Sequence, residues 1–115
     1  MVRIGTVVMN VRDARRASGF WRDALGYSYL DDYDDNSTPV LVRPAGGGPA
    51  VALDESDRTH LDLHVDSAEE QRAEVARLIS LGATKVDWTY PANARFVVLA
   101  DTEGNLFCVV NTAGD

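Results

Sequence analysis

The same order of apolar periods occurs twice in this chain, and that repetition restricts the fold more than any other feature. Residues 4–11, IGTVVMNV, alternate in the manner of a half-buried strand. The next stretch, RDARRASGFWRDALGY, changes to a helical period. Ala17, Phe20, Trp21 and Leu25 recur at spacings of three and four, Asp13 caps the start and Gly26 ends it. Strand-like runs follow at 27–33, 38–44 and 49–55, separated by the turns DDNS and AGGG. The programme then restarts. HLDLHV at 60–65 alternates as a strand, and DSAEEQRAEVARLISLGA follows as a helix. Asp66 or Ser67 caps that helix, Val75, Leu78 and Ile79 share a face, and Gly82 closes it. Strands at 84–90, 94–100 and 105–112 complete the second half. Both halves read strand, helix, strand, strand, strand, and both helices end in Leu-Gly.

One unit used twice accounts for such a repeat. A four-stranded sheet with one helix leaves its other face bare, so two units can curve toward each other and enclose a cleft. The expected fold is therefore α+β, with two βαβββ modules, each a curved four-stranded sheet with one helix, open faces forming a cleft. A chain of 115 residues holds them as one domain, the first module over about residues 1–55 and the second over about 59–113.

Side-chain alternation assigns residues to that cleft, because neighbours along a strand point to opposite faces. With Val7, Met9 and Val11 under the first helix, Thr6, Val8 and Asn10 face the cleft. With Leu61, Leu63 and Val65 inward, His60, Asp62 and His64 do the same. In the last strand Phe107 and Val109 keep the core phase, which leaves Leu106, Cys108 and Val110 on the open face. The only two histidines and the only cysteine thus share one surface. Trp88 and Tyr90, just before PANAR, either stack on a planar ligand from a loop over the cleft or pack at the edge of the core. Trp21 belongs to the core.

The balance of charge narrows the partners. Eleven basic against eighteen acidic side chains give a net charge of −7, which disfavours nucleic acid and favours neutral or cationic small molecules. No run approaches the roughly 18 apolar residues of a membrane span, and MVRIGTVVMN has no signal-peptide pattern. One cysteine forms no internal disulfide, so a cytoplasmic protein is expected.

Three segments carry a resemblance: VRDARRASGFWRDALGY, HLDLHVDSAEEQRAEVARLISLGA and FVVLADTEGNLFCVV. Together they resemble the vicinal oxygen chelate superfamily, which includes glyoxalase I, bleomycin-resistance proteins and extradiol dioxygenases. The last segment looks like that family's Asp-Pro-Asp/Glu-Gly-Asn turn, with Thr102 at the proline, and is most similar to the glyoxalase-like subgroup. The resemblance implies metal ligands at four strand positions, usually His, Glu or Gln. Here those positions fall on Thr6, on or beside Ala52, on His60 and on Cys108. Thr6 and Ala52 cannot replace an imidazole and a carboxylate around a divalent metal. No metal or other cofactor is therefore expected.

The runner-up is zinc held by His60 and Cys108, with Asp62 or His64 completing the site. His64 lies four strand residues from His60, about 13 Å at the usual rise, too far for one tetrahedral centre. A nucleophilic His60–Cys108 pair is weaker still, because a thiolate needs a positive environment that this acidic chain lacks. The DDYDDNS cluster fails as a calcium loop, with Ser37 where Gly belongs and Arg43 where Glu belongs. AGGGP lacks the Lys-Ser/Thr of a phosphate loop.

The resemblance implies a homodimer. By analogy with bleomycin-resistance proteins, the expected function is metal-independent binding of a small organic molecule, cationic or planar, in the cleft. The alternative is a metal-dependent lyase or isomerase acting on a small carbonyl compound, and whether the chain is an enzyme at all is left open.

Overall fold

The computed structural model of the protein describes residues 1–32 and 36–113. Its elements follow the order β1 (Arg3–Asn10), α1 (Ala14–Leu25), β2 (Ser28–Tyr29), β3 (Val40–Val42), β4 (Ala50–Asp54), then β5 (His60–Val65), α2 (Ala68–Ser80), β6 (Thr84–Lys85), β7 (Phe96–Ala100) and β8 (Leu106–Asn111). The fold is α+β, with strand, helix and three strands occurring twice, the repeat that the sequence displays.

In the first module the strand order is β2-β3-β4-β1, and the first and last strands run parallel, with Val8 opposite Ala52. A parallel pair needs a long crossover, here supplied by α1 and the β2–β3 hairpin. Asp13 caps α1 by accepting from the Arg16 N–H at 3.0 Å. Gly26 ends the helix in the left-handed region at φ 68°, where a Cβ would be strained. Leu41, Val51 and Leu53 form the core with Ala14, and Met9, Val11, Ala17 and Trp21 pack against them. Leu41 and Leu53 are fully buried, and each such side chain contributes about 1.5–3 kcal/mol of transfer free energy. The apolar stripe of α1 differs from the expected one. It runs through Ala14, Ala17 and Trp21, while Phe20 and Leu25 are 64% and 45% exposed. Phe20 lies edge-on against Trp21 instead of entering the core.

The second module repeats the arrangement. Its order is β5-β8-β7-β6, with β5 parallel to β8 and Asp62 opposite Cys108. Ser67, rather than Asp66, caps α2, accepting from the Glu70 N–H at 3.0 Å. Val65, Leu99 and Val109 form the core, with Val75, Leu78 and Phe107 against it. Ile79 and Leu61, expected inward, are 37% and 38% exposed.

Two expected strands shrink to two residues each. The run at 84–90 pairs only through Thr84 and Lys85. Beyond them the Val98 N–H donates to the Tyr90 hydroxyl at 2.8 Å, so a side chain takes the place of a strand carbonyl just before Pro91. Among the described residues the run at 27–33 has its strand pairs at Ser28 and Tyr29, and the Leu30 N–H still donates to the Val40 carbonyl at 2.8 Å. Its last residue, Tyr33, and the middle of the rejected calcium cluster lie outside the described residues.

Residues Gly5–Thr59 form one compact unit, and Met1–Ile4 join His60 and the residues after it in the other. The first four residues, expected with the first module, are held by the second through polar contacts. The Val2 N–H donates to Glu74 at 2.6 Å, and the Arg3 guanidinium meets Asp66 at 2.9 Å. Glu74 is buried, and its hydrogen bond from Arg77 holds its carboxyl below the usual range, helped by the Val2 N–H. Among the described residues no helix is long and apolar enough to cross a membrane.

Candidate functional site

The parallel register of β5 and β8 builds the site. Asp62 sits directly opposite Cys108, and His60 lies two residues earlier on the same strand, hence on the same face. The potential donor atoms of His60, Asp62 and Cys108 all fall within 4.8 Å of one another. His60 Nε2 lies 3.3 Å from Asp62 Oδ1, and the two side chains are 11% and 25% exposed. The face around them is apolar: Val98 lies opposite Cys108 from β7 and is 3% exposed, and Ala100 is 9% exposed.

That setting governs the carboxyl of Asp62. Burial pushes it above the usual carboxylate range. Electrostatic attraction to His60 and His64 and hydrogen bonds to Cys108 and His60 pull it only part of the way back. The groups acting on Asp62 are thus two imidazoles and a thiol, with no guanidinium or ammonium among them. His64 acts on Asp62 through its charge and lies outside the cluster of three.

The first module carries no such chemistry at the matching positions. Val8 pairs with Ala52 as Asp62 pairs with Cys108, and this register makes Ala52 itself the counterpart of Cys108. Thr6 stands where His60 does and Asn10 where His64 does. Val8 and Ala52 are buried at 6% and 7% exposure. Asn10 is exposed, and its amide donates to the Asp54 and Asp57 carbonyls at 3.3 and 2.6 Å, holding the turn after β4. The four strand positions that carry metal in related enzymes therefore offer a hydroxyl, a methyl, an imidazole and a thiol. That set does not fit the group, because Ala52 donates nothing.

A hollow of about 520 Å³ opens beside β7, lined by Tyr90, Pro91, Phe96, Val98 and Lys85 among others. The Tyr90 and Phe96 rings pack at 5.5 Å between centroids. Trp88, expected with Tyr90 over the cleft, is 41% exposed and does not line this hollow. Phe96 and Val98 escaped the sequence reading, although alternation along 94–100 could have placed them on the face of Cys108.

The turn leading into β8 is built from Asp101. Its carboxylate accepts from the Glu103 and Asn105 N–H groups at 2.8 and 2.9 Å and from the Asn105 side chain at 2.9 Å. The bonds from Asn105 hold its carboxyl below the usual range.

The chain, with two βαβββ modules whose first and last strands run parallel, is a member of the vicinal oxygen chelate superfamily. The glyoxalase-like domain family matches residues 6–110, and the chain belongs to that family. No curated protein matches the sequence. Among solved structures it is similar to the NAD-dependent benzaldehyde dehydrogenase of Legionella pneumophila (12% identity, 92% of this chain and 96% of that one, TM-score 0.66). It is similar also to the methylmalonyl-CoA epimerase of Mycobacterium tuberculosis (22% identity, 94% and 86%, TM-score 0.60). A glyoxalase/bleomycin resistance protein/dioxygenase superfamily member from Vibrio splendidus is a third (15% identity, 96% and 99%, TM-score 0.61). Likeness at such identities establishes the fold, and chemistry has to be argued from the site.

Proposed function

We propose that the protein binds a small organic molecule on the open face of its second module, in the manner of bleomycin-resistance-type sequestration. The observation that carries this reading is the half-buried polar cluster of His60, Asp62 and Cys108 set in an apolar face. Ligand sites commonly combine apolar walls with a few convergent polar groups. The Asp62 carboxylate and the net charge of −7 favour a cationic ligand, and the Tyr90 and Phe96 rings favour a planar one. The four-position metal chelate of related enzymes is not required for such binding. A cytoplasmic homodimer is part of the same reading.

The test is a thermal-shift screen of cationic, planar compounds with chelator present, followed by calorimetry. The expected result is a ligand whose affinity falls at least about tenfold in Asp62→Asn, the loss of one charge-assisted contact of about 1.5–3 kcal/mol. Equal affinity of the variant for every ligand found would end this reading.

A second reading, a metal-dependent lyase or isomerase acting on a small carbonyl compound, draws on the same cluster. Turnover that is abolished by chelator would select it.

A further inference from the structure

We propose that His60, Asp62 and Cys108 form a three-donor site for a soft divalent cation of the zinc class, contained within the second module. The site is not the four-position chelate of related metal enzymes. Two of those positions are Thr6 and Ala52, and the third donor here is Asp62, two residues beyond His60 on the same face of β5.

The geometry carries the argument. Donors bound to zinc at about 2.0–2.3 Å in a tetrahedron stand roughly 3.3–3.8 Å apart. His60 Nε2 and Asp62 Oδ1 already stand 3.3 Å apart, and all three donor atoms fall within 4.8 Å of one another. Small side-chain rotations therefore suffice to close the cluster. The backbone need not move, because the parallel β5–β8 register fixes Asp62 opposite Cys108.

The choice of cation follows from the donors. A thiolate and an imidazole with one carboxylate suit zinc, cobalt or cadmium, whereas magnesium prefers an all-oxygen shell. Three protein donors leave a fourth position for a water or an organic oxygen, the pattern of catalytic rather than structural zinc. Buried Val98, opposite Cys108, shields one side from water. The inference stands apart from the sequestration reading, since one is measured without organic ligand and the other in chelator.

The experiment is a titration of the untagged, reduced full chain with Co(II), and then with Zn(II) in competition. Saturation at one equivalent is expected, with a thiolate-to-cobalt charge-transfer band that Zn(II) bleaches and an equal concentration of Mg(II) does not. Cys108→Ser abolishes the band, and Asp62→Asn and His60→Asn each weaken binding by more than about tenfold, as loss of a ligand should. His64→Asn, outside the cluster, leaves it within about twofold. Absence of the band, bleaching by Mg(II), or a loss in His64→Asn equal to that in His60→Asn would overturn the assignment. Because Cys108→Ser alters a packed strand, a second measurement uses the unaltered chain. One equivalent of Zn(II) should slow alkylation of Cys108 by iodoacetamide at least about tenfold, and an unchanged rate would count against the site.

Discussion

Thr6, Val8 and Ala52 in the first module occupy the places of His60, Asp62 and Cys108 in the second, on strands paired in the same parallel register. The backbone is the same device twice, yet one copy presents a methyl-lined surface and the other an imidazole, a carboxylate and a thiol. The difference teaches that the repeat supplies positions and not chemistry. Val8 and Ala52 serve stability at 6% and 7% exposure. Asp62 works against it, since burial raises its carboxyl pKa.

The harshest way to break this comparison is to write the second module's carboxylate into the first. Val8→Asp should cost about 3–5 kcal/mol in denaturant unfolding, because the new charge meets Ala52 instead of a thiol and an imidazole. A loss below about 1 kcal/mol would mean that the two faces are equally tolerant and that the contrast between them is superficial.

The two Leu-Gly helix ends sharpen the comparison at lower cost. Gly26, at φ 68°, has open space where a Cβ would go, so Gly26→Ala should lose about 1–2 kcal/mol from the left-handed backbone alone. At Gly82, φ 118°, a Cβ would stand 2.8 Å from Thr102 Cγ2, so Gly82→Ala should lose more. Matching melting temperatures for the two variants would show that Thr102 simply moves aside.

The smallest effect concerns pH, and its sign differs between two carboxylates of the second module. The raised carboxyl of Asp62 means that wild-type folding is most favoured below the unfolded-state pKa and weakens as pH rises through the folded one. Asp62→Asn should then gain stability at neutral pH, and the gain should fade on acidification. The lowered carboxyl of Glu74 acts the other way. It contributes stability above its unfolded pKa that is lost as pH falls through the folded one, so the deficit of Glu74→Gln should shrink in acid. Unfolding curves across the acidic range would expose parallel trends if this account of the two groups were wrong.

Much of this was legible in the sequence. The repeat and the 2.0 and 3.6 periods gave the elements, and alternation put His60, Asp62 and Cys108 on one face, because it depends only on local backbone geometry. What alternation lacks is the partner of each strand. The parallel register that sets Asp62 against Cys108 is a tertiary fact, as is the Tyr90 hydroxyl that takes the Val98 N–H and stops β6 at Lys85. Asp62 illustrates the limit. Alternation put it on the same face as His60 and Cys108, but only the register sets it directly opposite Cys108. Phe20 and Leu25 show the converse, since helical spacing put them on the apolar stripe and the narrow contact of α1 left them outside.

The ties from Val2 to Glu74 and from Arg3 to Asp66 span 72 and 63 residues of chain. During synthesis at ~5–20 residues per second, Val2 and Arg3 wait on the order of ten seconds for Glu74 and Asp66 to follow them. Through that interval the leading end of β1 is an unclaimed strand edge, open to chaperones or to a neighbouring nascent chain. Asp66 and Glu74 of the second module thus set the timetable on which the leading end of β1 becomes native.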